Sequence, residues 1–234
     1  MSLEVKRDPP KTIVLTELER DALAELANIG VSRAAASLRK MVGQQVLLSV
    51  PSVEVVSKKT ASALVAEREG DNLVAVQQEF VGAFSGRALL IFPQAKSLEL
   101  IRAIVGPEVA MADAKDIEEE ALAETGNIIL NGCLATMGNI LHQSLTVSLP
   151  QVLRGTGAHL FHVSERSEDD GLVLFLYINF SILDLDIRGY IAMLMDLPSL
   201  ENLKLLLSEF IASVMDEKPI ERATPSSRPA GTDA

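Results

Sequence analysis

The chain has 234 residues, 48% of them apolar, and its 21 basic and 32 acidic residues leave a formal charge of −11. This length and apolar content can bury a sizeable core and exclude an intrinsically disordered chain, and the acidic balance makes nucleic acid a poor partner. The single cysteine excludes a disulfide framework and a multi-cysteine metal site. No signal peptide and no run of 18 apolar residues are visible, so we expect a cytoplasmic protein without membrane insertion.

The predicted elements repeat along the chain: a long helix, four strand-like runs and a shorter helix, twice. The first long helix is predicted over residues 16–41, opened by a capping box of Thr16 and Glu19, and the second over 116–142. In the first half the predicted strands are 45–50, 61–66, 73–80 and 87–92, and the short helix is 95–105. In the second half they are 145–149, 158–163, 172–180 and 190–195, and the short helix is 199–215.

This order predicts an α+β fold. We expect an internally duplicated, pseudo-two-fold domain in which two long helices pack on a largely antiparallel sheet, because strands that follow one another through short turns pair antiparallel. The domain should span residues 15–215, with halves at about 15–107 and 115–215. Residues 1–14 are predicted to be a flexible lead-in, and the proline-containing stretch 216–234 a disordered tail.

Both long helices carry the same polar triplet. Asp21, Glu25 and Asn28 stand at positions i, i+4 and i+7 of the first helix. At about 100° per residue they fall within an arc of roughly 60° and share one stripe of the helix surface. The second helix repeats the spacing with the residues Glu120, Glu124 and Asn127.

A proline stands at the same distance from each triplet. Twenty-two residues separate Asn28 from Pro51, and twenty-two separate Asn127 from Pro150. Each proline follows a short predicted strand, where it should end strand pairing and stiffen the turn. Asparagine is a mediocre residue in the middle of a helix, so its recurrence at one register calls for an explanation. Shared ancestry of the two halves explains the register, but does not by itself establish a function.

The pattern Asp/Ser-x3-Glu-x2-Asn-x22-Pro resembles that of the CheC/CheX/FliY phosphatases, which dephosphorylate the chemotaxis response regulator CheY. The duplicated layout is most similar to CheC, and the resemblance covers residues 15–215. One departure is that the second copy opens with Glu120, where the family has Asp or Ser.

The resemblance implies a phosphatase that acts on the aspartyl phosphate of CheY or a related receiver domain and holds one water in line with the phosphorus. A carboxamide suits this role, since its carbonyl accepts from the water while its NH2 group donates to a phosphoryl oxygen. The residues implied as catalytic are Asn28 and Asn127, with Glu25 and Glu124 pairing with the receiver's active-site lysine. The residues implied in docking are Asp21, Glu120, Pro51 and Pro150. The chain would need no cofactor of its own, Mg²⁺ would belong to the phosphorylated partner, and CheD is a further partner that the family allows.

Other interpretations of the same residues remain open. The carboxylate pairs could bind a metal, but no histidine or second ligand-bearing segment accompanies them. A glycosidase lacks support, since the chain has no tryptophan to form a sugar platform. Cys133 is predicted to be a buried packing residue, and the three histidines, at positions 142, 159 and 162, form no triad. The alternative to an enzyme is a non-catalytic adaptor that binds a receiver or CheD.

Overall fold

The computed structural model describes residues 13–105, 114–163, 171–182 and 185–216, and within them six helices and eight strands. The helices are α1 (Glu17–Val42), α2 (Lys58–Glu69), α3 (Gln94–Val105), α4 (Ala114–Ile140), α5 (Gly157–Leu160) and α6 (Leu197–Asp216). The strands are β1 (Val46–Ser49), β2 (Val53–Ser57), β3 (Leu73–Gly82), β4 (Gly86–Pro93), β5 (Leu145–Val147), β6 (Gln151–Gly155), β7 (Leu172–Ile182) and β8 (Leu185–Met195). No helix among these is both long and apolar enough to cross a lipid bilayer.

The eight strands form one sheet in which every pairing is antiparallel. The four central strands run in the order β7, β8, β4, β3. At one edge β1 and β2 from the first half pair with β7 from the second, and at the other edge β5 and β6 from the second half pair with β3 from the first. Each half therefore completes the sheet of the other, and the predicted α+β, internally duplicated fold is confirmed.

Helices cover both faces of the sheet. One core cluster joins one face to α1, α3, α4 and α6, and the other joins the opposite face to α2 and α5. Successive residues of β4 alternate between the clusters: Leu90 belongs to the first, Leu89 and Ile91 to the second. Because both faces are buried, the central strands contain continuous apolar runs, such as residues 88–92 of β4 and 172–178 of β7, rather than alternating patterns.

Both edges of the sheet carry the same irregularity. Residues 50–52 separate the β1 and β2 ladders, whereas only residues 177 and 178 separate them on β7. In the second half, residues 148–150 face only residues 78 and 79 of β3. At each edge, three residues thus face two on the neighbouring strand, which is a β-bulge with one extra residue. Each bulge contains the predicted proline. The proline ends one ladder, as predicted, but pairing with the same neighbour resumes two or fewer residues later.

Several predicted elements are confirmed, and two are wrong in the same way. The long and short helices and the strands near 45–50, 73–80, 87–92, 145–149, 172–180 and 190–195 are present. The predicted strands at 61–66 and 158–163 are helices instead, α2 and α5. Ser57 and Thr156 cap them, each accepting a backbone N–H three residues on with its side-chain oxygen. A short apolar run does not distinguish a buried strand from a helix, whereas a cap does.

The remaining differences concern boundaries. Strands β2 and β6, which follow the bulges, were missed. Helix α4 begins at Ala114, so Asp116 lies within the helix and does not open it. The capping box of Thr16 and Glu19 is confirmed by both hydrogen bonds, at 3.2 Å and 2.7 Å. Most of the predicted lead-in (1–12) and of the predicted tail (217–234) lies outside the described residues.

The two motif-bearing helices pack directly against each other through glycines. A Cβ atom on Gly30 of α1 would lie 2.8 Å from the Cα of Cys133 and 2.8 Å from the carbonyl oxygen of Gly132 on α4. A Cβ atom on Gly132 would lie 2.9 Å from the carbonyl oxygen of Gly30. Only hydrogen fits at both positions, and this close approach fixes the position of α1 relative to α4.

Candidate functional site

The motif carboxylates lie on the protein surface. Glu25 and Glu124 are exposed, as are Asp21 and Glu120 one turn earlier. Within the described residues none of the four forms an ion pair or a side-chain hydrogen bond. Each helix therefore presents an acidic patch whose charge no described residue neutralises, which suits contact with a cation of a partner.

Asn28 is partly buried and is held by the backbone of the bulge. The Val50 N–H donates to Asn28 Oδ1 at 2.8 Å, and Asn28 Nδ2 donates to the Val50 carbonyl oxygen at 3.1 Å. Val50 immediately precedes Pro51 and is only 2% exposed. The bulge leaves these two backbone groups without a strand partner, and the amide side chain satisfies both. The spacing between asparagine and proline thus has a direct structural cause in this half.

Asn127 is partly buried as well, but its partners are different. Its Oδ1 accepts from Gln78 Nε2 at 3.0 Å and from Asn131 Nδ2 at 2.7 Å. Gln78 is a buried residue of β3 whose Nε2 also donates to the Ser148 carbonyl oxygen at 2.9 Å. Leu149, the residue before Pro150, is 85% exposed and makes no hydrogen bond with Asn127. In the second half, glutamine therefore stands between the motif asparagine and the bulge.

The two amides consequently differ in what they can still bind. A carboxamide has two acceptor positions on oxygen and two N–H donors. Counting bonds to described residues, Asn28 retains one acceptor position and one N–H, whereas Asn127 retains two N–H groups and no acceptor position. The structure thus brings the predicted residues of each half to one stripe, but it gives the two asparagines unequal hydrogen-bonding capacity.

Buried glutamates hold the N-terminal part of each motif helix in place. Glu19 accepts from the Thr16 N–H and from the Ser208 hydroxyl, and lies 3.5 Å from Lys204 Nζ on α6. Burial raises the pKa of Glu19, but these hydrogen bonds and the lysine outweigh it and hold the pKa below its usual value. Glu118, at the corresponding position of α4, lies 3.3 Å from Arg154 of β6. The N-terminal parts of α1 and α4, where the two stripes begin, are therefore held by contacts with α6 and β6.

The other candidates have structural surroundings of their own. Cys133 is fully buried, and burial raises the pKa of its thiol to about 12, so it is a packing residue as predicted. His142 follows α4, and His159 and His162 belong to α5 and the turn after it rather than to the strand that was predicted there. No group of three or more His, Cys, Asp or Glu side chains arranged for a metal ion occurs among the described residues.

Sequence reasoning missed four residues that set the geometry around the asparagines. They are Val50, Gln78, Asn131 and Ser148. Val50 and Ser148 act through the backbone, which leaves no trace in residue type. Gln78 did leave a signal, because a glutamine at a buried position of an apolar strand must find a hydrogen-bond partner.

Comparison with known proteins supports the resemblance. The model of the CheC-like family matches residues 18–55, which hold the first motif from Asp21 to Pro51. The chain is 27% identical over 145 residues to the flagellar motor switch phosphatase FliY of Bacillus subtilis, covering 61% of this chain and 37% of FliY. It is 24% identical over 136 residues to the "Putative CheY-P phosphatase CheC1" of Halobacterium salinarum, covering 57% of this chain and 67% of that protein. The first match thus spans little more than a third of its relative.

Solved structures share the fold. FliY of Thermotoga maritima superposes with a TM-score of 0.64 at 18% identity, covering 86% of this chain and 99% of that one. The FliM middle domain of H. pylori superposes with a TM-score of 0.55 at 8% identity, covering 82% and 99%. The duplicated motif, the family model over residues 18–55 and the curated relatives agree, and they support assignment of the chain to the CheC/CheX/FliY family.

Proposed function

We propose that the chain is a phosphatase that hydrolyses the aspartyl phosphate of CheY or a related receiver domain and so ends a chemotaxis signal. The observation that carries the proposal is the stripe on α1, where the exposed Glu25 lies one turn from an amide that still has a free acceptor position and a free N–H. The names of the two curated relatives, "Flagellar motor switch phosphatase FliY" and "Putative CheY-P phosphatase CheC1", support the same activity.

The reaction needs little covalent chemistry from the chain. The oxygen of a water forms a bond to phosphorus while the bond between phosphorus and the aspartate oxygen breaks, giving inorganic phosphate and a free carboxylate. One proton of the water stays on the phosphate, and the other passes to a phosphate oxygen or to solvent. The asparagine accepts from the water and donates to a phosphoryl oxygen, which places the water in line. The Mg²⁺ needed by the receiver is held by the receiver itself.

In this proposal the carboxylates align the receiver with the motif helices. Glu25 and Glu124 would pair with the receiver's active-site lysine, and Asp21 and Glu120 would make further docking contacts. Charge attraction of this kind accelerates association and orients the partner. Pro51 and Pro150 would shape the neighbouring surface through the bulge and take no chemical part. CheD remains a second proposed partner, for which no residue of the chain gives a specific argument.

The catalytic proposal is tested by removing both amides. A receiver phosphorylated with a small-molecule donor is mixed with catalytic amounts of wild type or of the double variant Asn28→Ala with Asn127→Ala, and phosphate release is followed. We expect wild type to accelerate release and the double variant to lose the acceleration. Binding to a receiver activated with beryllofluoride, which imitates the phosphoryl group but does not turn over, should be largely retained. Turnover that persists in the double variant would refute the role of the amides, and wild-type binding without turnover would support the adaptor.

The docking proposal is tested by charge reversal. Glu25→Lys combined with Glu124→Lys places two cations against the receiver's lysine, so binding to the beryllofluoride-activated receiver should be lost. Because both side chains are exposed and unpaired within the described residues, the thermal stability of the variant should stay close to wild type. Unchanged affinity would count against the proposed interface.

A further inference from the structure

We infer that Gln78 and Asn131 together make the two copies of the motif chemically unequal, so that Asn28 orients the water and Asn127, whose carbonyl oxygen already accepts two hydrogen bonds, serves docking. Gln78 is a positioning residue in this inference, because it acts on the reaction only through Asn127. The inference rests on the proposed phosphatase function and concerns which of its two sites works. It follows from the hydrogen bonds around the two bulges.

The orientation of the Asn127 amide is dictated by a chain of donors and acceptors. The Ser148 carbonyl oxygen can only accept, so the Gln78 side chain must direct its NH2 group towards it, at 2.9 Å. The second hydrogen of the same NH2 group points to Asn127, 3.0 Å away, which must then offer its oxygen. Asn131 donates to that oxygen as well, at 2.7 Å. Two donors fill both acceptor positions of Asn127 Oδ1, and a water has none left to donate to.

The orientation of the Asn28 amide is dictated equally firmly, with a different outcome. The Val50 N–H can only donate and the Val50 carbonyl can only accept, so the amide oxygen must face the former and the NH2 group the latter. The amide oxygen of Asn28 accepts one hydrogen bond, and its nitrogen donates one. Asn28 therefore keeps the pair of functions that the reaction requires, one acceptor position for the water and one N–H for a phosphoryl oxygen.

The difference between the two sites arises at two pairs of equivalent positions in the duplicated halves. Phe80 of β3 pairs with Val147 and Phe180 of β7 pairs with Leu48, which sets these two strands in equivalent registers. Two residues before each phenylalanine stand Gln78 and Ile178, both buried. On the helices, four residues after each motif asparagine, stand Asn131 and Ser32. The site around Asn28 thus lacks both side chains that donate to the carbonyl oxygen of Asn127.

A pair of single variants tests the inference. In the phosphate-release assay, Asn28→Ala should lower the stimulated rate about 100-fold, the effect of losing one preorganised group in a transition state. Asn127→Ala should lower the turnover number much less than Asn28→Ala does, and should raise the receiver concentration needed for half-maximal rate only modestly, because the carboxylates carry most of the docking. Equal losses in the two variants, or a greater loss of turnover in Asn127→Ala, would overturn the inference.

A gain of activity provides the sharper test, because structural damage does not produce one. In the Asn28→Ala background, Gln78→Ile with Asn131→Ser gives the second site the residues of the first and frees the carbonyl of Asn127. We expect part of the lost turnover to return, and part of it also with either substitution alone, since each removes one of the two donors to Asn127 Oδ1. If the converted protein stays as slow as Asn28→Ala while it remains folded by circular dichroism, the donors Gln78 and Asn131 do not inactivate the site around Asn127, and the inference is overturned.

A spectroscopic measurement separates this inference from the proposed function. The side-chain NH2 resonances of Asn127 in the free protein should shift when Gln78 is replaced by isoleucine, and those of Asn28 should not. Unshifted Asn127 resonances would overturn the inference even if the chain is a phosphatase. If no variant and no wild-type sample accelerates phosphate release but the Asn127 resonances shift as expected, the hydrogen-bond inequality stands and the proposed phosphatase function fails.

Discussion

The two halves of the molecule share a sequence pattern and a bulge but differ in how they hold it. In the first half, Val50 is 2% exposed and its backbone is bound by the motif asparagine; in the second, Leu149 at the same place is 85% exposed. There the Ser148 side chain accepts from the Glu79 N–H and its carbonyl accepts from Gln78. The fold requires that the polar backbone groups of each bulge form hydrogen bonds, but it does not determine which side chain forms them. Duplication therefore preserved the spacing, while the hydrogen bonds around the amides diverged.

The largest expected effect on stability concerns the contact between α1 and α4 at Gly30 and Gly132. Gly30→Ala forces a methyl group to within 2.8 Å of the α4 backbone, so the helices must separate, and we expect a loss of about 3 kcal/mol in the free energy of unfolding. Urea denaturation followed by circular dichroism measures it. Ala36→Ser, on the exposed part of the same helix, is the control and should change little. If Gly30→Ala unfolds at the same urea concentration as wild type, the α1 and α4 backbones are not as close as described.

The comparison of the two asparagines predicts unequal costs when each is removed. Asn28→Ala leaves the Val50 N–H and carbonyl without partners at a buried position, which should cost about 2 kcal/mol. Asn127→Ala should cost about 1 kcal/mol or less, because Gln78 keeps its bond to Ser148. The difference between the two variants, measured in parallel denaturation curves, is the quantity of interest. Equal values would remove the structural distinction between the halves.

The smallest effects are expected at the ends of the motif helices. Gly43 ends α1 with a φ of 71°, and His142 stands at the corresponding place after α4 with a φ of 54°. Left-handed backbone favours glycine, so Gly43→Ala should destabilise the protein and His142→Gly should stabilise it, each by about 1 kcal/mol. Nothing lies within 4 Å of a Cβ atom at Gly43, so its substitution tests the backbone conformation alone. Melting temperatures that move in the same direction would contradict this explanation.

Much of the fold and the motif could be predicted from the sequence, because the signals were local. The capping box of Thr16 and Glu19 marked the start of α1, and the repeated triplets placed both sets of carboxylates on one stripe each. The strand predicted over residues 61–66 was wrong because a short apolar run fits a strand and a helix equally well, and only the cap at Ser57 distinguishes the two.

The inequality of the two sites could not be predicted, since it depends on strand exchange between the halves. Gln78 belongs to the first half of the sequence but acts on Asn127 of the second, because β3 pairs with β5 and β6. A single sequence gives the composition of each half but not which half completes the other. The roles of the motif residues themselves remain predictions that rest on the family and on the chemistry of the stripe.

The most direct test of the account is a structure of the chain bound to a beryllofluoride-activated receiver domain. We expect the α1 stripe against the receiver's active site, with Glu25 at its lysine and Asn28 within hydrogen-bond distance of a water opposite the aspartate–beryllium bond. A complex in which the receiver binds elsewhere, or in which only Asn127 approaches the phosphoryl mimic, would contradict the central claim.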